Sequence, residues 1–133
     1  GCQFGVLCSS DCSAVETRKG GITLRQLLTH TSGLSYPFHT SASIGDDYDG
    51  DAPVPQIIDE LHKRYVEQGL FSGLPFMEEH TSEDFMRRLS CCPLAFQPGT
   101  RYLYSLGPDV AGVVMERAKG MRLSGIMQTC LFE

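Results

Sequence analysis

Glycine and proline cut this chain into short helical pieces, and that punctuation limits the fold more than any other feature. Thr23-Leu24-Arg25-Gln26 reads as a capping box, with Leu24, Leu27 and Leu28 on one helical face. Gly33 then supplies the left-handed stop. A second helix is predicted over 53–68: Pro53 and Pro55 suit a first turn, Ile57, Ile58, Leu61 and Tyr65 form a buried stripe, and Gly69 closes it. A third opens near Thr81, with Glu83 and Asp84 at its positive end, apolar positions Phe85, Met86 and Leu89, and Pro93 as the stop. Pro98-Gly99 is a turn, and Arg101 to Ser105 follow as a short extended piece. Pro108 and Asp109 open a fourth helix that carries Val110, Val113 and Val114 and ends at Gly120. A fifth starts near Leu123, with Ile126, Met127 and Leu131 as its apolar positions. Five helical segments with almost no strand predict an α-rich piece, and no internal repeat is present. Residues 1–21 lack a period and read as a loop or displaced terminal segment, with a strand remnant over Gln3 to Leu7. The polar stretch 35–52 is long for a loop inside a compact domain, and such loops often border a binding site.

Length and charge set the outer limits. The 133 residues suit one domain. The charge sum is 11 − 16 = −5, which argues against a nucleic-acid partner. No apolar run approaches the ~18 residues of a membrane span. The chain shows neither a basic leader nor an initiator Met, so processing or excision from something longer is expected, and the compartment stays open. Of the six cysteines, Cys2, Cys8, Cys12, Cys91, Cys92 and Cys130, free thiols are the favoured reading over disulfides. Cys8 and Cys12 fit one half of a zinc site, but no second half stands at a matching spacing, so no metal is expected. The acidic stretch Asp46 to Asp51 lacks both end ligands of a calcium loop and reads as a solvated turn. No cofactor motif is present.

The search for a catalytic set is short. There is no Gly-x-Ser-x-Gly elbow, no Walker loop and no His-Glu-x-x-His. A Ser-x-x-Lys pair would put an amine one helical turn from a hydroxyl, but Glu16, Glu60 and Glu116 stand three residues before the three lysines, Lys19, Lys63 and Lys119. His30 reads as a cation on the negative end of the first helix rather than a base. His39, His62 and His80 read as solvated surface residues, and Ser32 as part of a helix stop. Tyr104 stands between a Pro-Gly turn and a helix, held by rigid elements on both sides. A phenol titrates near 10, so base chemistry would need a cation beside it. On the residues alone, a packing role for Tyr104 is the simpler reading, and Tyr102 competes for any chemical one.

Two stretches carry a family resemblance. Ile22 to Leu34, Ile-Thr-Leu-Arg-Gln-Leu-Leu-Thr-His-Thr-Ser-Gly-Leu, resembles the helix-and-turn block of the serine β-lactamase-like hydrolases, a group that includes class C β-lactamases, DD-peptidases, related esterases and lovastatin-type acyltransferases. Pro98 to Leu106, Pro-Gly-Thr-Arg-Tyr-Leu-Tyr-Ser-Leu, continuing through Asp109-Val110-Ala111-Gly112, resembles the segment that carries the family's catalytic tyrosine. The resemblance implies that residues 22–133 are the helical part of an α/β β-lactamase/transpeptidase-like domain with most of its central sheet missing, and that residues 1–21 match poorly. It implies an acyl-serine mechanism acting on a small ester or amide substrate, with Tyr104 as the catalytic tyrosine. The family's Ser-x-x-Lys pair and Lys-Thr-Gly strand have no counterpart here, so the chain alone is expected to be inactive. Leu106 stands where the β-lactamases have Asn, which favours ester hydrolysis or acyl transfer over β-lactam hydrolysis. A non-catalytic binding module that retains the helical scaffold is the alternative. Helices that normally pack on a sheet would also expose an apolar face, which favours self-association.

Overall fold

The computed structural model describes residues 4–7, 14–36, 55–70 and 81–132. Among the described residues, five α-helices make up most of the regular structure: α1 Leu24–Leu28, α2 Pro55–Glu67, α3 Ser82–Leu89, α4 Gly107–Lys119 and α5 Leu123–Met127, with a π-helical stretch Gln128–Phe132 after the last. Two short strands, β1 Val6–Leu7 and β2 Val15–Glu16, pair antiparallel, so a strand does stand within the stretch expected to hold a remnant. β1 is also bridged on its other side, through Leu7 N–H to the Leu94 carbonyl and Leu94 N–H to the Gly5 carbonyl, both 2.8 Å.

Each helix starts where local chemistry allows it. Thr23 caps α1 as expected: its hydroxyl accepts from Gln26 N–H, and the Gln26 side chain accepts from Thr23 N–H at 2.8 Å. Thr81 caps α3 through Asp84 N–H. Leu106 precedes α4, and Pro108 occupies its first turn. Arg122 has no capping side-chain bond at α5, and Glu116 of α4 instead accepts from Leu123 N–H at 2.8 Å.

The core lies where α2, α3 and the start of α4 meet β1 and the 92–96 segment. Ile57, Ile58, Leu61 and Tyr65 are all buried, as the α2 stripe predicts, alongside Val6, Leu89, Cys92, Leu94, Leu106 and Val110. The Arg88 side chain donates to the Gln68 carbonyl at 2.9 Å, tying α3 to the end of α2.

Several expectations are revised. Of the three leucines placed on one buried face of α1, only Leu27 is buried; Leu24 and Leu28 are 50% and 57% exposed. The described residues cover that helix on the Leu27 side alone. Val114 and Leu131 are exposed as well. The helix also ends at Leu28, well before Gly33. Cys91 is disulfide-bonded, against the free-thiol reading, whereas Cys92 and Cys130 are free. The neighbours in sequence diverge because Cys92 turns into the core, where burial pushes its thiol up to about 12, and Cys91 stays half-exposed. His62 is half-buried rather than solvated, with its Nδ1 enclosed and lacking a hydrogen-bond partner among the described residues. Cys2, Cys8, Cys12, His39, His80, the acidic stretch 46–51 and Pro53 lie outside the described residues.

Candidate active site

The two motif stretches, some seventy residues apart in sequence, are laced together by main-chain hydrogen bonds. Gly99 N–H donates to the Thr31 carbonyl at 2.7 Å and Ala95 N–H to the Gly33 carbonyl at 2.7 Å. Leu103 N–H donates to the His30 carbonyl at 2.9 Å and Leu106 N–H to the Ser35 carbonyl at 3.3 Å. The close fit requires glycine at two places. A β-carbon on Gly107 would stand 2.1 Å from the Leu27 carbonyl oxygen, so the start of α4 rests directly on the backbone of α1. One on Gly33 would stand 2.5 Å from the Phe96 carbonyl oxygen, and Gly33 also has φ +85°.

His30 is the junction of the two stretches. It follows the α1 C-cap Thr29 and sits at φ 55°, the one non-glycine residue with positive φ among the described residues. Thr31 N–H reaches the Gln26 carbonyl at 2.9 Å and His30 N–H the Leu27 carbonyl at 3.4 Å, which is the bond pair of a Schellman motif. Histidine therefore holds the left-handed position that the sequence assigned to Gly33. Its ring does not interact with the helix end as a cation would. Nδ1 accepts the Ser105 N–H at 3.1 Å and lies 3.4 Å from the Ser105 hydroxyl. Accepting an amide hydrogen requires a bare Nδ1, so the neutral ring carries its own hydrogen on Nε2.

Three rings gather on this junction. The Tyr104 ring stacks at a tilt on His30, centroids 4.6 Å apart, and Tyr102 meets His30 edge-on at 6.0 Å. Tyr36 lies 5.8 Å from Tyr104 on the other side. Its position follows from Ser35, whose N–H donates to the buried Tyr65 hydroxyl at 3.1 Å. Partial burial pushes the Tyr36 phenol up from its ordinary range, and Asp109 and Tyr104 add to the shift. Between the competing tyrosines, Tyr102 projects outward at 61% exposure, while Tyr104 is 53% exposed and flanked by both His30 and Tyr36.

The other residues singled out from the sequence lie apart from chemistry. Ser32 is fully buried, with its hydroxyl accepting from Leu34 N–H. Leu106 is buried and presents no polar group beside Tyr104. Sequence reasoning missed the grip of His30 on Ser105 and the placement of Tyr36. Neither leaves a local signal, since both depend on pairing between distant segments.

Comparison with known proteins accounts for this arrangement. The sequence model of the Beta-lactamase family matches residues 14–133. Esterase EstB of Burkholderia gladioli is 36% identical over 103 residues, which are 77% of this chain and 21% of the esterase. Lovastatin esterase of Penicillium rubens is 31% identical over 112 residues, 84% of this chain and 22% of that protein. The solved structure of EstCE1, a hydrolase with promiscuous acyltransferase activity, superposes with a TM-score of 0.60 at 28% identity, covering 83% of this chain and 24% of its own. The chain thus spans about a fifth of the length of the curated relatives it matches. Its laced helix-and-turn core is the helical part of their larger fold, and the chain belongs to the Beta-lactamase family.

Proposed function

We propose that these residues are the tyrosine-bearing part of a serine hydrolase or acyltransferase that acts on small esters through an acyl-serine intermediate, with Tyr104 as its catalytic tyrosine. The observation that carries the reading is the setting of Tyr104. It stands on a short segment locked between the Pro98-Gly99 turn and α4, half-exposed, with its backbone neighbours bonded to the other family motif. With a cation beside it, the phenolate of a tyrosine held this way can take the hydrogen of an attacking serine hydroxyl, and the resulting phenol can pass it to the leaving oxygen. The ester preference draws on the esterase relatives and on buried Leu106, which leaves no side-chain amide beside the phenol.

The 133 residues contain no Ser-x-x-Lys pair, so in this reading they form no acyl-enzyme by themselves. A nitrophenyl ester assay on this chain alone is expected to show no burst. In the longer protein carrying this segment, Tyr104→Phe is expected to lower kcat about 10²- to 10⁴-fold, the usual range for losing a general acid–base group. Undiminished turnover by Tyr104→Phe, or a Tyr104-dependent burst from the 133 residues alone, overturns the reading.

A further inference from the structure

The two backbone amides that flank Tyr104 both end on one residue. Leu103 N–H donates to the His30 carbonyl at 2.9 Å, and Ser105 N–H donates to His30 Nδ1 at 3.1 Å. His30 therefore grips the chain on either side of Tyr104. The imidazole face then lies against the phenol ring, 4.6 Å between centroids. His30 makes all three contacts from a left-handed backbone, φ 55°.

Helix termination alone does not explain a histidine here. The Schellman turn after α1 needs a left-handed residue, and glycine meets that need without strain. Histidine is strained in this conformation, and what it adds is the acceptor nitrogen and the ring. Proton exchange does not explain it either. Nδ1 is engaged by the Ser105 amide, and the neutral ring carries its hydrogen on Nε2.

We infer that His30 is a positioning residue: through its carbonyl and Nδ1 it holds the Leu103–Ser105 backbone and so sets where the Tyr104 phenol stands. This assignment rests on the reading of Tyr104 as the catalytic tyrosine, and its test separates the two. The longer protein carrying this segment is prepared as wild type, Tyr104→Phe, His30→Gly and His30→Asn, with tyrosines labelled at 13Cζ. The Tyr104 resonance is the one that Tyr104→Phe removes. Glycine suits the left-handed backbone but lacks the acceptor. Asparagine tolerates that backbone and offers Oδ1 to the Ser105 amide.

His30→Gly is expected to melt within about 4 °C of wild type. It is also expected to shift the Tyr104 resonance and to lower kcat for a nitrophenyl ester roughly 10- to 100-fold, the effect of misplacing a reacting group. KM should move by less than about threefold, and His30→Asn should bring kcat back to within about threefold of wild type. The assignment is overturned if folded His30→Gly keeps its Tyr104 resonance and its kcat, or if His30→Asn is as impaired as a folded His30→Gly. Should His30→Gly fail to fold, His30→Asn decides: near-wild-type kcat supports the clasp, and an impaired kcat overturns it. If Tyr104→Phe is fully active, the catalytic reading falls, and the resonance shift alone decides whether His30 places that ring.

Discussion

At the scale of single residues, side chains here act more by holding backbone than by meeting one another. Tyr65 is buried and its hydroxyl accepts the Ser35 N–H; burial, its dominant influence, pushes the phenol above its ordinary range and keeps it neutral. Glu116 bonds in two directions, accepting the Ser82 hydroxyl at 2.5 Å and Leu123 N–H at 2.8 Å, and so joins α3, α4 and α5. These two bonds, the Ser82 one first, hold its carboxyl below the usual carboxylate range. Asp84 is held low in the same way by Arg87 and Arg88. A lowered folded-state value means that the stabilisation is fully present above the unfolded carboxyl's value and is lost as pH falls through the folded one. The melting temperature is therefore expected to drop as pH falls below about 4.5. Glu116→Gln should start lower at neutral pH and lose less on acidification, with Asp84 supplying the remaining slope. Parallel melting curves for wild type and Glu116→Gln across that range would refute the role given to this carboxylate.

Element boundaries were legible wherever one residue type answers one local need. The capping box at Thr23, the N-cap at Thr81, the α2 stripe and the end of α4 at Gly120 are all where the sequence places them. The end of α1 was not. The left-handed residue there is His30, and nothing local marks a histidine for that conformation; its strain is offset by bonds to residues more than seventy positions away. Gly33, which looked like the stop, serves the close approach of Phe96 instead. The packing of α4 on α1 has the same long-range origin. Gly107→Ala would press a methyl onto the Leu27 carbonyl, with rigid backbone on both sides, and is expected to destabilise the protein by roughly 1–3 kcal/mol in urea unfolding. Gly112→Ala is the control. Its new methyl meets only the tip of the Leu123 side chain, at 3.1 Å, and gains helix propensity, so its midpoint should equal or exceed the wild-type value. Equal losses in both variants would mean that helix contact at Gly107 is not what limits stability.

For the molecule as a whole, the lasting feature is an apolar surface left uncovered by the described residues. Leu24 and Leu28 lie one turn apart on α1, and Met115, Leu131 and Phe132 are exposed elsewhere. The matched stretch is about a fifth of each relative, which leaves ample further chain to cover such positions. The 133 residues alone are therefore expected to self-associate at micromolar concentration in sedimentation velocity, and a Leu24→Lys, Leu28→Lys variant should shift toward monomer. A monomeric wild-type chain with a cooperative melt would instead favour the independent binding module.

The sequence by itself determined the helical character of the chain, most helix starts, the α2 core stripe and the family, because each is written in local spacing or in contiguous motif residues. The tertiary structure alone decided which leucines of α1 are buried, which of the adjacent cysteines is disulfide-bonded, and where Tyr36, His30 and Tyr104 meet. Those outcomes depend on hydrogen bonds and contacts between segments far apart in sequence. A left-handed histidine, a neutral acceptor nitrogen and a phenol laid against it become visible only once the chain has brought residue 30 to residue 105.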